Sequence, residues 1–199
     1  TTVPASTARL LAKIRRPSHR VKVRNYTSEL GVPCFMANIL TAGPGGVAYQ
    51  DAWVENAGFA AHPDPEVAIN SALLEATQTI MTSTAGARED LVLHARSLGR
   101  HERTRARRAV AYVAWRRLAE PTQSFASVEG FVSRDARDDV RWLCTRLAER
   151  GCMHLPFADY SRPELRPAHV VRVIIPGLET INPFRTGLRA RMALVEDLL

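Results

Sequence analysis

The stretch HRVKVRNYTSELGVPCFMANIL, residues 19–40, decides the reading of the fold. Over residues 19–26, Val21 and Val23 alternate with Lys22 and Arg24, the two-residue period of a half-buried strand. Thr27 to Gly31 turns the chain, and residues 32–40 resume as a second, more apolar strand. Upstream, residues 6–16 (STARLLAKIRR) read as a short helix. Ser6 or Thr7 is its candidate cap, and Leu10, Leu11 and Ile14 form its buried side. The same order returns downstream. Residues 140–149 form an amphipathic helix, Gly151 breaks it, 153–160 are strand-like, 161–167 are loop, and 169–175 are an apolar strand ending at Pro176-Gly177. Even the turn text is alike: Tyr26-Thr27-Ser28-Glu29-Leu30 against Tyr160-Ser161-Arg162-Pro163-Glu164-Leu165. Two related helix-strand-turn-strand units predict a mixed α/β (α+β) fold, a sheet with helices packed on it.

Between these units lies a Gly/Pro loop at 41–46, followed by residues 53–60, which show no regular period. Asp64-Pro65-Glu66 is a strong helix start: a cap candidate, Pro at the first helical position and an acid in the first turn. That helix is predicted to run to about Thr82. Residues 88–91 read as a connection, 92–120 as helix-prone and Arg-rich, and 123–132 as loop after Pro121.

The chain has 199 residues, 46% apolar and 24% charged, a balance that excludes general disorder. Lys and Arg number 27 against 20 Asp and Glu; the resulting +7 charge, with a pI near 10, invites a polyanion partner. Cys34, Cys144 and Cys152 cannot all pair, so a disulfide scaffold is not expected and a reducing compartment is. No apolar run approaches a membrane span, and no signal segment opens the chain. The first residue is Thr, which points to a trimmed product or a piece of something longer.

On the central helix, Ser71, Glu75, Gln78 and Thr82 share a narrow stripe, while Ile69, Ala72, Leu73, Ala76 and Ile80 take the opposite, core-facing side. A solvated face usually mixes Lys and Arg with Glu. Here one carboxylate stands among small hydroxyls and an amide, a set suited to a hard cation and a nucleotide. Beyond it, Gly86-Ala87-Arg88-Glu89-Asp90 offers a guanidinium for phosphate and two carboxylates for Mg2+.

These stretches resemble a known family. Phe59-Ala60-Ala61-His62-Pro63-Asp64-Pro65, Ser71-Ala72-Leu73-Leu74-Glu75-Ala76-Thr77-Gln78 and Gly86-Ala87-Arg88-Glu89-Asp90 look like the core of the YcaO domain. Tyr26-Thr27-Ser28-Glu29-Leu30-Gly31-Val32-Pro33 and Val171-Arg172-Val173-Ile174-Ile175-Pro176-Gly177-Leu178-Glu179 fit the same family, in order, across nearly the whole chain. The resemblance implies ATP-dependent activation of peptide backbone amides in a ribosomally synthesised precursor peptide. The amide oxygen is O-phosphorylated, and loss of phosphate gives an azoline or, with external sulfide, a thioamide. By motif, Glu75 would ligate Mg2+, Ser71 and Gln78 would contact ATP, Arg88 would clamp phosphate, and Glu89 and Asp90 would lie near metal. No catalytic side chain is assigned. The expected setting is the cytoplasm, with the precursor peptide as substrate, a TfuA-type or leader-binding partner protein, room for a homodimer, and no membrane.

The family's earlier Ser-x-x-Glu-x-x-Glu-Arg element, which supplies further carboxylates, is missing, and no Gly-x-x-x-x-Gly-Lys loop replaces it. Residues 1–199 are therefore expected to be a partial YcaO-like domain, its C-terminal half to two-thirds, and inactive alone. Residues 189–199 lack a Pro-rich tail typical of azoline-forming members, which tilts the expectation toward the thioamide branch. The alternative is a non-catalytic YcaO-like module that binds a peptide or partner. A third reading, RNA binding, rests on eight Arg between Arg96 and Arg117, but no aromatics are interleaved with that cluster. Cys144, Cys152 and His154 do not make a usual zinc framework, and His62 could face the site or brace its loop.

Overall fold

Asp64 ends an extended segment and starts a helix because its side chain supplies what the first turn lacks. Its Oδ1 accepts the Glu66 N–H (2.7 Å) and its carbonyl accepts that of Ala68 (3.0 Å). With Pro65 at the first helical position, helix α2 runs Pro65–Thr84, two residues beyond the expected end. The computed structural model describes residues 3–17, 19–42, 53–84, 123–176 and 178. The chain divides into two compact units, Thr1–Leu143 and Cys144–Leu199.

In the first unit, helix α1 (Ala5–Ile14) begins after Pro4 without a side-chain cap. Ser6 and Thr7, the expected caps, lie inside the helix and serve packing instead. The Ser6 hydroxyl donates to the Glu66 carboxylate, Thr7 donates to Asn70 Oδ1 (2.8 Å), and Asn70 Nδ2 donates to Ser6 (2.9 Å). Those bonds tie α1 to the first turns of α2. Strands β1 (His19–Asn25), β2 (Cys34–Ala42) and β3 (Trp53–Ala61) form an antiparallel sheet in that order. The register pairs Val21 with Ile39 and Val23 with Ala37, then Ala37 with Gly58 and Phe35 with Ala60.

Strand β3 corrects the expectation of an irregular 53–60. Its positions facing α2 are small or polar (Asn56, Gly58, Ala60), so no apolar alternation survives in the sequence, and pairing with β2 fixes the conformation instead. Ile14, Phe35, Ala37, Ile39, Ala68, Ile69, Ala72, Leu73 and Ala76 close into one core. Ile39 and Leu73 are fully buried, each worth about 1.5–3 kcal/mol of apolar burial. The segment expected as loop returns across this core. It carries a 3-10 turn at Phe125–Ser127, where Phe125 stacks on Phe35 at 6.0 Å.

Helix α3 (Ala136–Glu149) starts four residues before the expected 140 because Asp135 caps it, accepting the Arg137 N–H at 2.9 Å. It ends at Gly151, whose φ of 80° suits glycine. Gly151 N–H reaches the Ala148 carbonyl and Cys152 N–H that of Leu147, both at 2.9 Å, the paired bonds of a Schellman stop. In the second unit, β4 (Phe157–Asp159) and β5 (Val171–Val173) pair antiparallel around a 3-10 turn at Pro163–Leu165.

Among the described residues the two related units therefore build two small antiparallel sheets, one each, in a mixed α+β fold as expected. Their turns match atom for atom. Asn25 Oδ1 accepts Thr27 N–H (2.9 Å) as Asp159 Oδ1 accepts Ser161 N–H (2.8 Å). Thr27 Oγ1 accepts Cys34 N–H (3.2 Å) as Ser161 Oγ accepts Val170 N–H (3.1 Å). Tyr26 N–H donates to Cys34 and Tyr160 N–H to Val170, at 2.7 and 2.8 Å. The textual likeness of the turns has a physical basis: an Asx turn before the tyrosine's loop and a hydroxyl that receives the returning strand.

Candidate functional site

The stripe on α2 stands beside β3, and one glycine sets how near. A Cβ on Gly58 would lie 2.2 Å from Ala76 N and 2.3 Å from Ala72 O, so the helix backbone rests directly on the strand. At that distance two helix side chains reach the outer edge of β3. Glu75 Oε2 accepts the Phe59 N–H at 2.8 Å, and the Thr79 hydroxyl donates to the Ala57 carbonyl at 3.1 Å. Thr79 stands equally close to the Glu75 carbonyl, also 3.1 Å. Phe59 and Ala57 are positions whose peptide groups face away from β2, so these bonds satisfy an edge that no other strand among the described residues pairs with.

Ser71, Glu75 and Gln78 all lie on α2, spanning about 10 Å of helix. Glu75 and Gln78 are exposed and Ser71 is half-buried, while Ile69, Ala72, Leu73 and Ala76 are buried behind them. Among the described residues, no partner meets the Ser71 hydroxyl or the Gln78 amide, and one Glu75 oxygen remains open. A carboxylate with one oxygen pinned and the other open suits the oxygen shell of Mg2+, and a neighbouring hydroxyl and amide suit phosphate and sugar oxygens. The residues fit in kind. In number they do not complete a shell: no group of three or more His, Cys, Asp or Glu gathers among the described residues. Thr82, the last member of the stripe, turns its hydroxyl onto the Thr79 carbonyl (3.1 Å).

Arg88, Glu89, Asp90 and the Arg-rich stretch 96–117 lie outside the described residues. His62 braces its loop: Nδ1 accepts the Asp64 N–H (3.0 Å), and the His62 backbone N–H donates to the Pro33 carbonyl (3.0 Å). Cys34 is half-buried on β2, and burial pushes its thiol pKa up. Cys144 is exposed and Cys152 half-buried, both free thiols. Sequence reasoning missed Gly58, the Phe59 N–H and Thr79. Gly58 alone left a signal, a glycine in an extended stretch, which often marks close approach of another backbone.

An antiparallel α+β scaffold carrying a helix with an oxygen-rich stripe is the class that fold and site define. Residues 2–179 match the profile of the family described as YcaO cyclodehydratase, ATP- and Mg2+-binding, and the chain belongs to that family. An uncharacterized protein of Methanothermobacter thermautotrophicus is 30% identical over 187 residues, 93% of this chain and 46% of that protein. An uncharacterized protein from the tfuA 3' region of Rhizobium leguminosarum bv. trifolii is 30% identical over 175 residues, 84% of this chain and 38% of that protein. The chain thus spans less than half the length of these relatives. Two solved structures share the fold. A heterocyclase in complex with substrate and cofactor has a TM-score of 0.63 at 20% identity, covering 89% of this chain and 22% of that one. The heterocyclase TruD has a TM-score of 0.62 at 23% identity, covering 94% and 24%. No helix among the described residues is long and apolar enough to cross a membrane.

Proposed function

We propose that this chain is part of an ATP- and Mg2+-dependent enzyme that activates backbone amides of a ribosomally synthesised precursor peptide by O-phosphorylation, in the cytoplasm. The observation that carries this reading is the Glu75 carboxylate, fixed through Oε2 to the Phe59 N–H and open at its other oxygen, beside Ser71 and Gln78. Bound Mg2+·ATP would supply the phosphoryl group that turns the amide oxygen into a leaving phosphate. Glu75 would hold the cation, with Glu89 and Asp90 as further carboxylates; Ser71 and Gln78 would hydrogen-bond the nucleotide, and Arg88 would neutralise phosphate charge. Because Glu75 is anchored to backbone, it orients its ligand oxygen without first losing side-chain freedom.

Residues 1–199 form a partial domain on this reading, and a complete metal shell needs carboxylates beyond the described ones. The product is an azoline or a thioamide. The thioamide branch, with a TfuA-type partner, draws support from the relative whose description places it in a tfuA 3' region. The test is calorimetry of Mg2+·ATP on the full-length chain. Glu75→Ala is expected to weaken binding at least about tenfold, near the net worth of a charged contact. Equal affinity in the variant would exclude Glu75 from the site, and no binding by the parent chain would favour a non-catalytic peptide- or partner-binding module.

A further inference from the structure

The +7 charge has an address. Arg9, Lys13, Arg15 and Arg16 on and after α1, with Arg20, Lys22 and Arg24 on β1, are the only charged residues among the first 28; the 27 Lys and Arg less these seven leave 20, against 20 Asp and Glu. The first four are exposed, and among the described residues no acceptor meets their heads.

Among the described residues, strand β1 is also an edge of its sheet. The Tyr26 N–H donates to the Cys34 carbonyl, and that parity, carried along the register, gives Arg24, Lys22 and Arg20 the ladder bonds to β2. The N–H and C=O groups of Val21 and Val23 then face outward, and nothing among the described residues bonds them. The open length is bounded. His19 N–H is taken by the Arg16 carbonyl (2.9 Å), and beyond Val23 the Asn25 side-chain Nδ2 donates to Gln123 Oε1 (3.0 Å), placing the 123 segment beside that end of the strand.

A row of unpaired peptide groups is a template for another strand. A second copy of β1 is a poor occupant, because antiparallel self-pairing would face Arg20, Lys22 and Arg24 with the same three cations. Nucleic acid supplies phosphates but no peptide groups for Val21 and Val23. An extended acidic peptide supplies both, its backbone on the edge and negative charge for the cationic α1–β1 segment, in which Arg20, Lys22 and Arg24 also keep contacts within the chain. We propose that the outer edge of β1 docks an extended acidic peptide by strand addition, with the cations of α1 and the α1–β1 connection adding long-range attraction. This docking requires no nucleotide and stands apart from the reading of Glu75.

The probe is a fluorescein-labelled peptide, Thr-Glu-Val-Glu-Val-Glu-Thr, titrated against the full-length chain without nucleotide and followed by anisotropy. Binding is expected to fall about tenfold when alternate peptide amides are N-methylated, the cost of one or two lost hydrogen bonds. Val23→Pro should weaken it similarly, since the Val23 N–H faces outward and the ladder to β2 does not use it. If that variant does not fold, hydrogen exchange on the parent chain decides: saturating peptide should slow the Val21 and Val23 amides at least about tenfold. Failure to bind, binding indifferent to N-methylation, or unprotected Val21 and Val23 amides would each overturn the proposal. So would a uridine-rich RNA of equal charge that displaces the peptide and binds more tightly.

Discussion

Glu75 and Asp159 are both exposed carboxylates held by a backbone N–H, and each acquires a fixed direction from it. At Asp159 the Ser161 hydroxyl and then the Ser161 N–H (2.8 Å) hold the carboxyl below the usual range, with a small contribution from His169. The sign follows from linkage. With a depressed folded value, the bonds contribute fully above the ordinary carboxylate pKa of about 3.9 and are lost as pH falls through the lower folded value. Ser161→Ala should therefore raise the Asp159 pKa toward the ordinary value, read from its side-chain carboxyl carbon in an NMR titration. An unchanged midpoint would remove the hydroxyl as the leading cause. At this scale the sequence was legible where one side chain acts on its own backbone, as at Asp64. It misled at Ser6 and Thr7, whose hydroxyls suit a cap but are drawn across to Glu66 and Asn70 by the packing of α1 on α2.

Elements were readable in proportion to their periodicity. Helix α2 showed its start at Asp64-Pro65-Glu66 and α3 its stop at Gly151, and the bounds expected without such a signal were off by two residues at the end of α2 and four at the start of α3. Strand β3 carries none of these signs, because its core side is made of Asn56, Gly58 and Ala60. Its conformation and the placement of Glu75 both depend on the approach of α2 at Gly58. Gly58→Ala would drive a methyl into the Ala76 and Ala72 backbone, neither of which can swing aside as a side chain could. The expected cost is about 1–3 kcal/mol, seen as a lower denaturation midpoint with the m-value kept. The Phe59 amide should also exchange faster, as Glu75 is carried out of reach. A variant as stable as the parent would show that α2 slides without penalty and that the close approach positions nothing.

Across the whole molecule the two units differ in how much they bury. The first holds the core of Phe35, Ile39, Ile69 and Leu73; among the described residues of the second, only Leu147 is buried, at 8% exposure. Phe157, Tyr160, Val171 and Val173 are all more than half exposed. Low apolar burial predicts low local stability, so amides of Phe157–Asp159 and Val171–Val173 should exchange faster than those of α2 and β2. Equal protection would mean that the second unit opens only with the first. The α+β class, the start of α2, the repeated turn and the polar stripe were determined by the sequence itself, because each depends on residues within a few positions of one another. Only tertiary structure decided that, among the described residues, the repeats make two sheets, β3 is a strand, Glu75 is anchored to Phe59, and Val21 and Val23 present an open edge. Those features depend on which backbone groups distant segments leave paired or bare, and no local period in the sequence records that.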